Sequence, residues 1–126
     1  MSTRIGGREV EGNKRKSLEE ARPVLSELKR ELSMIYGSRL KYLLVYGSYA
    51  RGEAEEGSDL DLMVVRDQAV DQLKELGRLS ELTFELSLKH DVVLSVLPVG
   101  NHALEQEQEP LFINARREGV LYDRSI

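Results

Sequence analysis

Asp59 and Asp61 stand one residue apart at the head of an apolar run, Leu60-Asp61-Leu62-Met63-Val64-Val65. Strand side chains alternate between faces, so carboxylates at i and i+2 project from one face, within a few ångströms of each other. Aspartate is disfavoured in strands and like charges repel, so the pair is placed for a positive partner. A third acid, Asp91, opens the apolar run 91–97, and if that strand pairs beside the first, all three carboxylates converge at one sheet end. Oxygen-only donors of this kind suit Mg²⁺ or Mn²⁺, and the expected partner is a pair of such ions. Upstream, Gly47-Ser48 follows another apolar run, 41–46, and leads into a short helical segment through Tyr49 to Gly52. A glycine turn opening a helix offers backbone N–H groups and a hydroxyl to an anion, and a phosphate fits there. Arg51 is either a phosphate contact or a clamp on a nearby carboxylate. Divalent ions between a carboxylate cluster and a phosphate grip form the layout of in-line nucleotidyl transfer, in which the α-phosphate is attacked and pyrophosphate leaves.

The elements that must position these groups follow from the apolar spacing. Leu18, Ala21, Leu25, Leu28, Leu32 and Ile35 recur at intervals of three and four, one face of an amphipathic helix ended by Gly37. Ser17 and Glu20 fit a capping box, whereas Pro23 argues for a regular start nearer Arg22. Strands are expected at 41–46, 60–65 and 91–97, with a helix over about 70–88 carrying Leu73, Leu76, Leu79 and Leu86. Pro110 opens a last helix through Arg117, and the stretch after Gly119 is a candidate edge strand. The order implies an α/β (α+β) domain, a small mixed β-sheet with helices mainly on one face.

Composition excludes other classes. The 126 residues suit one domain, expected at 17–126 behind a flexible basic leader at 1–16. The sequence has no cysteine, which removes disulfides, thiolate metal sites and a thiol nucleophile, and its two histidines are too few for an ordinary zinc centre. No apolar run approaches the ~20 residues of a membrane span, and no secretory signal opens the chain, so a cytoplasmic protein is expected. The leader carries five Lys/Arg against two Glu, leaving 13 basic and 20 acidic residues elsewhere, a poor footprint for direct nucleic-acid binding. Glu53, Glu55 and Glu56 belong to a solvated loop. His90, beside the third acid, is expected to be structural rather than a general base.

Gly47-Ser48, ten intervening residues and Asp59-x-Asp61, in the context Ala50-Arg51-Gly52 and Ser58-Asp59-Leu60-Asp61-Leu62, resemble the signature of the DNA polymerase β-like nucleotidyltransferase superfamily. Within it the match is to the minimal, MNT-domain proteins, over roughly residues 20–122. The resemblance implies the polymerase-β-like nucleotidyltransferase fold, metal binding by Asp59, Asp61 and Asp91, and a triphosphate held by Gly47 and Ser48. Asp91 would also help deprotonate the attacking hydroxyl. Such proteins are commonly encoded beside HEPN-domain ribonuclease toxins and act as their antitoxins, so the resemblance further implies adenylylation of a toxin tyrosine with ATP as substrate. Little follows the expected catalytic core, so the acceptor surface is expected from a second protein. Two alternatives stay open: a catalytically silent antitoxin module that blocks by contact, and a transferase acting on a small molecule.

Overall fold

The computed structural model describes residues 15–122 and two short strands near the start, β1 (Arg4–Ile5) and β2 (Arg8–Glu9), which pair antiparallel. The expected leader lies mostly outside the described residues. Arg15 and Lys16 run beside the 52–55 loop, with the Lys16 amide donating to the Ala54 carbonyl at 2.9 Å and Arg15 Nη1 to the Gly52 carbonyl at 2.8 Å.

Helix α1 (Leu18–Tyr36) begins at the full capping box, the Glu20 amide donating to Ser17 Oγ and the Ser17 amide to Glu20 Oε1. Pro23 sits inside this helix instead of delaying it. The proline is exposed, so the Glu19 carbonyl that loses its donor stays on the water side. Helix α1 leads through a 3₁₀ turn at Gly37–Arg39 into β3 (Leu40–Tyr46), followed by the single turn α2 (Ser48–Arg51) and β4 (Leu60–Arg66). Then come α3 (Gln72–His90), β5 (Leu94–Gly100), α4 (Asn101–Gln106), α5 (Pro110–Glu118) and β6 (Val120–Tyr122).

The four-stranded sheet has the order β5-β4-β3-β6, with β4 and β5 parallel and the other pairs antiparallel. Pro98 is tolerated in β5 because β5 is an edge strand. The two long helices cover one face: Leu25, Leu28, Leu32, Leu79 and Leu86 pack there against Leu43, Val45, Leu60, Leu62 and Val64. The short helices α4 and α5 cover part of the other, where Leu104, Phe112 and Ala115 meet Met63, Val65 and Val99. Fully burying each of these leucine, valine, methionine or phenylalanine side chains contributes about 1.5–3 kcal/mol.

Helix α3 departs from its apolar pattern. Leu73 is 84% exposed, and Glu75 turns inward instead, 6% exposed. Arg66, at the end of β4, is 3% exposed, lies 3.4 Å from Glu75, and stacks over the Tyr36 ring at 4.4 Å. The Tyr36 hydroxyl donates to Glu75 at 2.5 Å. Burial, then that carboxylate, pushes the Tyr36 phenol up to about 12. A buried guanidinium demands an anion, and this demand sets the rotation of the first turns of α3. Among the described residues no helix is long and apolar enough to cross a membrane.

Candidate active site

Strand β4 delivers the aspartates. Asp61 lies opposite Tyr46 of β3 and Ser95 of β5, on the sheet face that carries α4 and α5. Asp59, two positions earlier, precedes the strand on the same side and is exposed. Gly47 has φ +76 and ψ −154, a conformation that side chains with a Cβ strongly resist, and it turns the chain from β3 directly into α2. A Cβ at Gly47 would stand 2.4 Å from Asp61 Oδ2. Turn and carboxylate are therefore in contact, which only a glycine permits. The first N–H groups of α2 have no intrahelical acceptor.

These groups line a single open cleft of about 460 Å³, bounded by Tyr46, Gly47, Ser48, Arg51, Ser58, Asp59 and Asp61 on one side and by Leu111, Asn114 and Glu118 of α5 on the other. Arg51 reaches across it: Nε meets Glu53 Oε1 at 2.8 Å and Nη1 meets Glu118 Oε1 at 3.1 Å, tying α2 to the end of α5. Burial, and next the charge of Asp59, raises the Asp61 pKa above the ordinary carboxylate value, while the Ser95 hydroxyl and Arg51 act in the opposite sense.

Asp91 does not join the pair. It caps α3 in the left-handed conformation, φ +53 and ψ +46, and the chain is still turning there, with the Asp91 and Val92 amides both bound to the Ser87 carbonyl. Strand β5 starts only at Leu94, and the residue opposite Asp61 is Ser95. Four residues of chain, up to about 13 Å if extended, separate Asp91 from that position. Its side chain borders a different groove, with Ser80, Thr83, Phe84 and Ser87. No group of three His, Cys, Asp or Glu able to hold a metal ion forms among the described residues. The expected trio is thus a pair, because the helix cap consumes the residues that were assigned to the start of the strand. His90 is structural, as expected: its Nε2 lies 3.0 Å from Glu27 on α1.

The pair still suits a cation. With Glu118 the cleft holds three carboxylates, and its one guanidinium is shared between Glu53 and Glu118. A bare triphosphate would be repelled, and Asp61 is already strained toward its neutral form. Mg²⁺ commonly takes one or two carboxylates and completes its shell with phosphate oxygens and water, a donor set that Asp59 and Asp61 match. Reasoning from sequence missed Tyr46, Asn114 and Glu118; the spacing of Leu111, Asn114 and Glu118 at i, i+3 and i+7 on the last helix was the available signal.

The model of the nucleotidyltransferase domain family matches residues 25–118. The protein adenylyltransferase MntA of Thermococcus cleftensis is 37% identical over 78 residues, covering 62% of this chain and 77% of that protein. A putative protein adenylyltransferase of Methanocaldococcus jannaschii is also 37% identical over 78 residues, covering 62% of this chain and 88% of its own. Another from the same organism is 32% identical over 72 residues, covering 57% and 72%. A crystal structure of a toxin-antitoxin with AMP-PNP shares the fold, with a TM-score of 0.53 at 19% identity over 75% of this chain and 69% of that one.

Proposed function

The chain belongs to the nucleotidyltransferase domain family, and on that premise we propose that it is a protein adenylyltransferase that moves AMP from ATP to a tyrosine hydroxyl of a HEPN-type ribonuclease, which it silences as an antitoxin. The observation that carries this reading is the contact of the Gly47 turn with the Asp61 carboxylate at the mouth of one cleft. That contact supports a phosphate grip and a cation site acting side by side, and nucleotidyl transfer needs both.

Gly47 and Ser48 hold the β- and γ-phosphates through the free amides of the turn and the Ser48 hydroxyl. Arg51 keeps N–H groups beyond the two it gives to Glu53 and Glu118, enough for a phosphate oxygen. Asp59 and Asp61 hold a divalent ion, Mg²⁺ or Mn²⁺, which when bound supplies charge neutralisation on the reacting and leaving oxygens. The tyrosine oxygen attacks the α-phosphorus, the phosphate ester forms as the bond to pyrophosphate breaks, and the phenol proton passes to water. No carboxylate beyond the ion-binding pair and the Arg51-bound Glu118 lines the cleft among the described residues, so it lacks a free general base. This favours an acceptor that ionises readily, and a phenol near pKa 10 does so far more easily than an aliphatic alcohol. The name carried by the relatives, protein adenylyltransferase, supports the same reading.

The test is transfer of label from [α-³²P]ATP, with Mg²⁺ or Mn²⁺, to the protein encoded by the gene next to this chain's own. Label on a tyrosine, lost in Asp59→Asn and in Asp61→Asn, is the expected result. A stable complex with no transfer from any nucleoside triphosphate would make the chain a blocking module, and transfer to small acceptors alone would make it a small-molecule transferase.

A further inference from the structure

Opposite the carboxylates, the cleft has a wall that the transfer chemistry leaves unused. Leu111, Asn114 and Glu118 sit at i, i+3 and i+7 on α5, one face of the helix, and all three line the cleft. Glu118 is bound by Arg51 at the phosphate end. By the rise of the helix, Asn114 lies about 6 Å further along the cleft and Leu111 about 10 Å. Leu111 is 41% exposed, a large apolar side chain presented to the opening. Tyr46, half-buried against the cluster beneath α5 and opposite Asp61 on the sheet, adds an aromatic ring to the same space.

We propose that Leu111, Asn114 and Tyr46 form a nucleobase subsite, and that the Asn114 amide selects adenine over guanine. The proposal rests on the nucleotide reading of the cleft and names which residues see the base. A wall of leucine, tyrosine and carboxamide carries no charge to hold a phosphate or a cation. It suits a flat heterocycle with apolar faces and a hydrogen-bonding edge. Arg117 Nη2 donates to Asn114 Oδ1 at 3.3 Å, which orients the amide and leaves its two N–H groups and one oxygen lone pair available. Adenine presents a donor at N6 beside an acceptor at N7, the complement of a carboxamide, whereas guanine presents acceptors at both O6 and N7 and sets oxygen against oxygen. The order along α5, from Arg51-bound Glu118 to Asn114 to Leu111, runs from the triphosphate end to the base end of a nucleotide.

Calorimetric titration of the full chain with ATP, GTP and tripolyphosphate in Mg²⁺ tests this. The unsubstituted chain is expected to bind ATP about ten-fold or more tightly than GTP, the discrimination of one bidentate amide pair. Asn114→Ala should bring the two within about two-fold of each other. Leu111→Ala should weaken both nucleotides alike. Tripolyphosphate affinity should stay unchanged in both variants, which also shows that they are folded. An Asn114→Ala chain that keeps the ATP preference, or an unsubstituted chain that binds both nucleotides equally, overturns the subsite and leaves the nucleotide reading standing. A chain that binds neither nucleotide nor tripolyphosphate overturns both.

Discussion

Replacing Gly47 by alanine separates geometry from fold at the point on which the proposed chemistry rests. The new Cβ would stand 2.4 Å from Asp61 Oδ2, whereas ordinary contact begins near 3.4 Å, so the carboxylate has to withdraw by about 1 Å. A displacement of that size at a reacting centre costs about 100-fold in rate. The backbone adds its own term: a non-glycine residue held at φ +76 and ψ −154 costs on the order of 1–3 kcal/mol of stability. Gly52→Ala is the matched control. Gly52 also has positive φ, +73, yet nothing lies within 4 Å of a Cβ built there. Both variants should lose about 1–3 kcal/mol by urea unfolding. In the label-transfer assay only Gly47→Ala should lose about two orders of magnitude, while Gly52→Ala keeps its rate. A folded Gly47→Ala chain that transfers label within about three-fold of the unsubstituted protein would refute the view that the turn and the aspartate act as one unit.

Asp91→Asn should leave label transfer within about two-fold, because Asp91 caps α3 outside the cleft and asparagine accepts the same left-handed conformation; a loss as deep as that of Asp59→Asn would restore the third acid. Asp61→Asn should raise the melting temperature at pH 7 without added metal. Its folded-state pKa lies above the ordinary carboxylate value, so ionisation weighs against the folded state, and the gain should vanish as pH falls below the ordinary carboxylate pKa, where the group is neutral in both states. Melting curves from pH 3 to pH 8 check the sign. Tyr36→Phe removes the hydroxyl that donates to buried Glu75 and should cost about 1–3 kcal/mol in urea unfolding, with transfer activity unchanged.

What the chain order carries by itself is what depends on near neighbours. The same-face placement of Asp59 and Asp61 follows from the two-residue period of a strand, the start of α1 from the Ser17–Glu20 box, and the sharp turn at Gly47 from the freedom of a residue without a Cβ. The sheet class and most of its strands were legible for the same reason.

Tertiary structure decided the rest. Glu75 replaces Leu73 on the buried side of α3 because Arg66 and Tyr36, 9 and 39 residues earlier in the chain, meet it there. The residue opposite Asp61 depends on the register between β4 and β5, which is set by where the α3 cap lets the chain straighten, and that puts Ser95 where Asp91 was expected. The α5 wall of the cleft depends on α5 crossing the sheet face that bears Asp61, a placement fixed by Phe112 and Ala115 packing on Met63 and Val65. Local periodicity determines which way a side chain points along its own element; only the packing of distant elements determines what it meets.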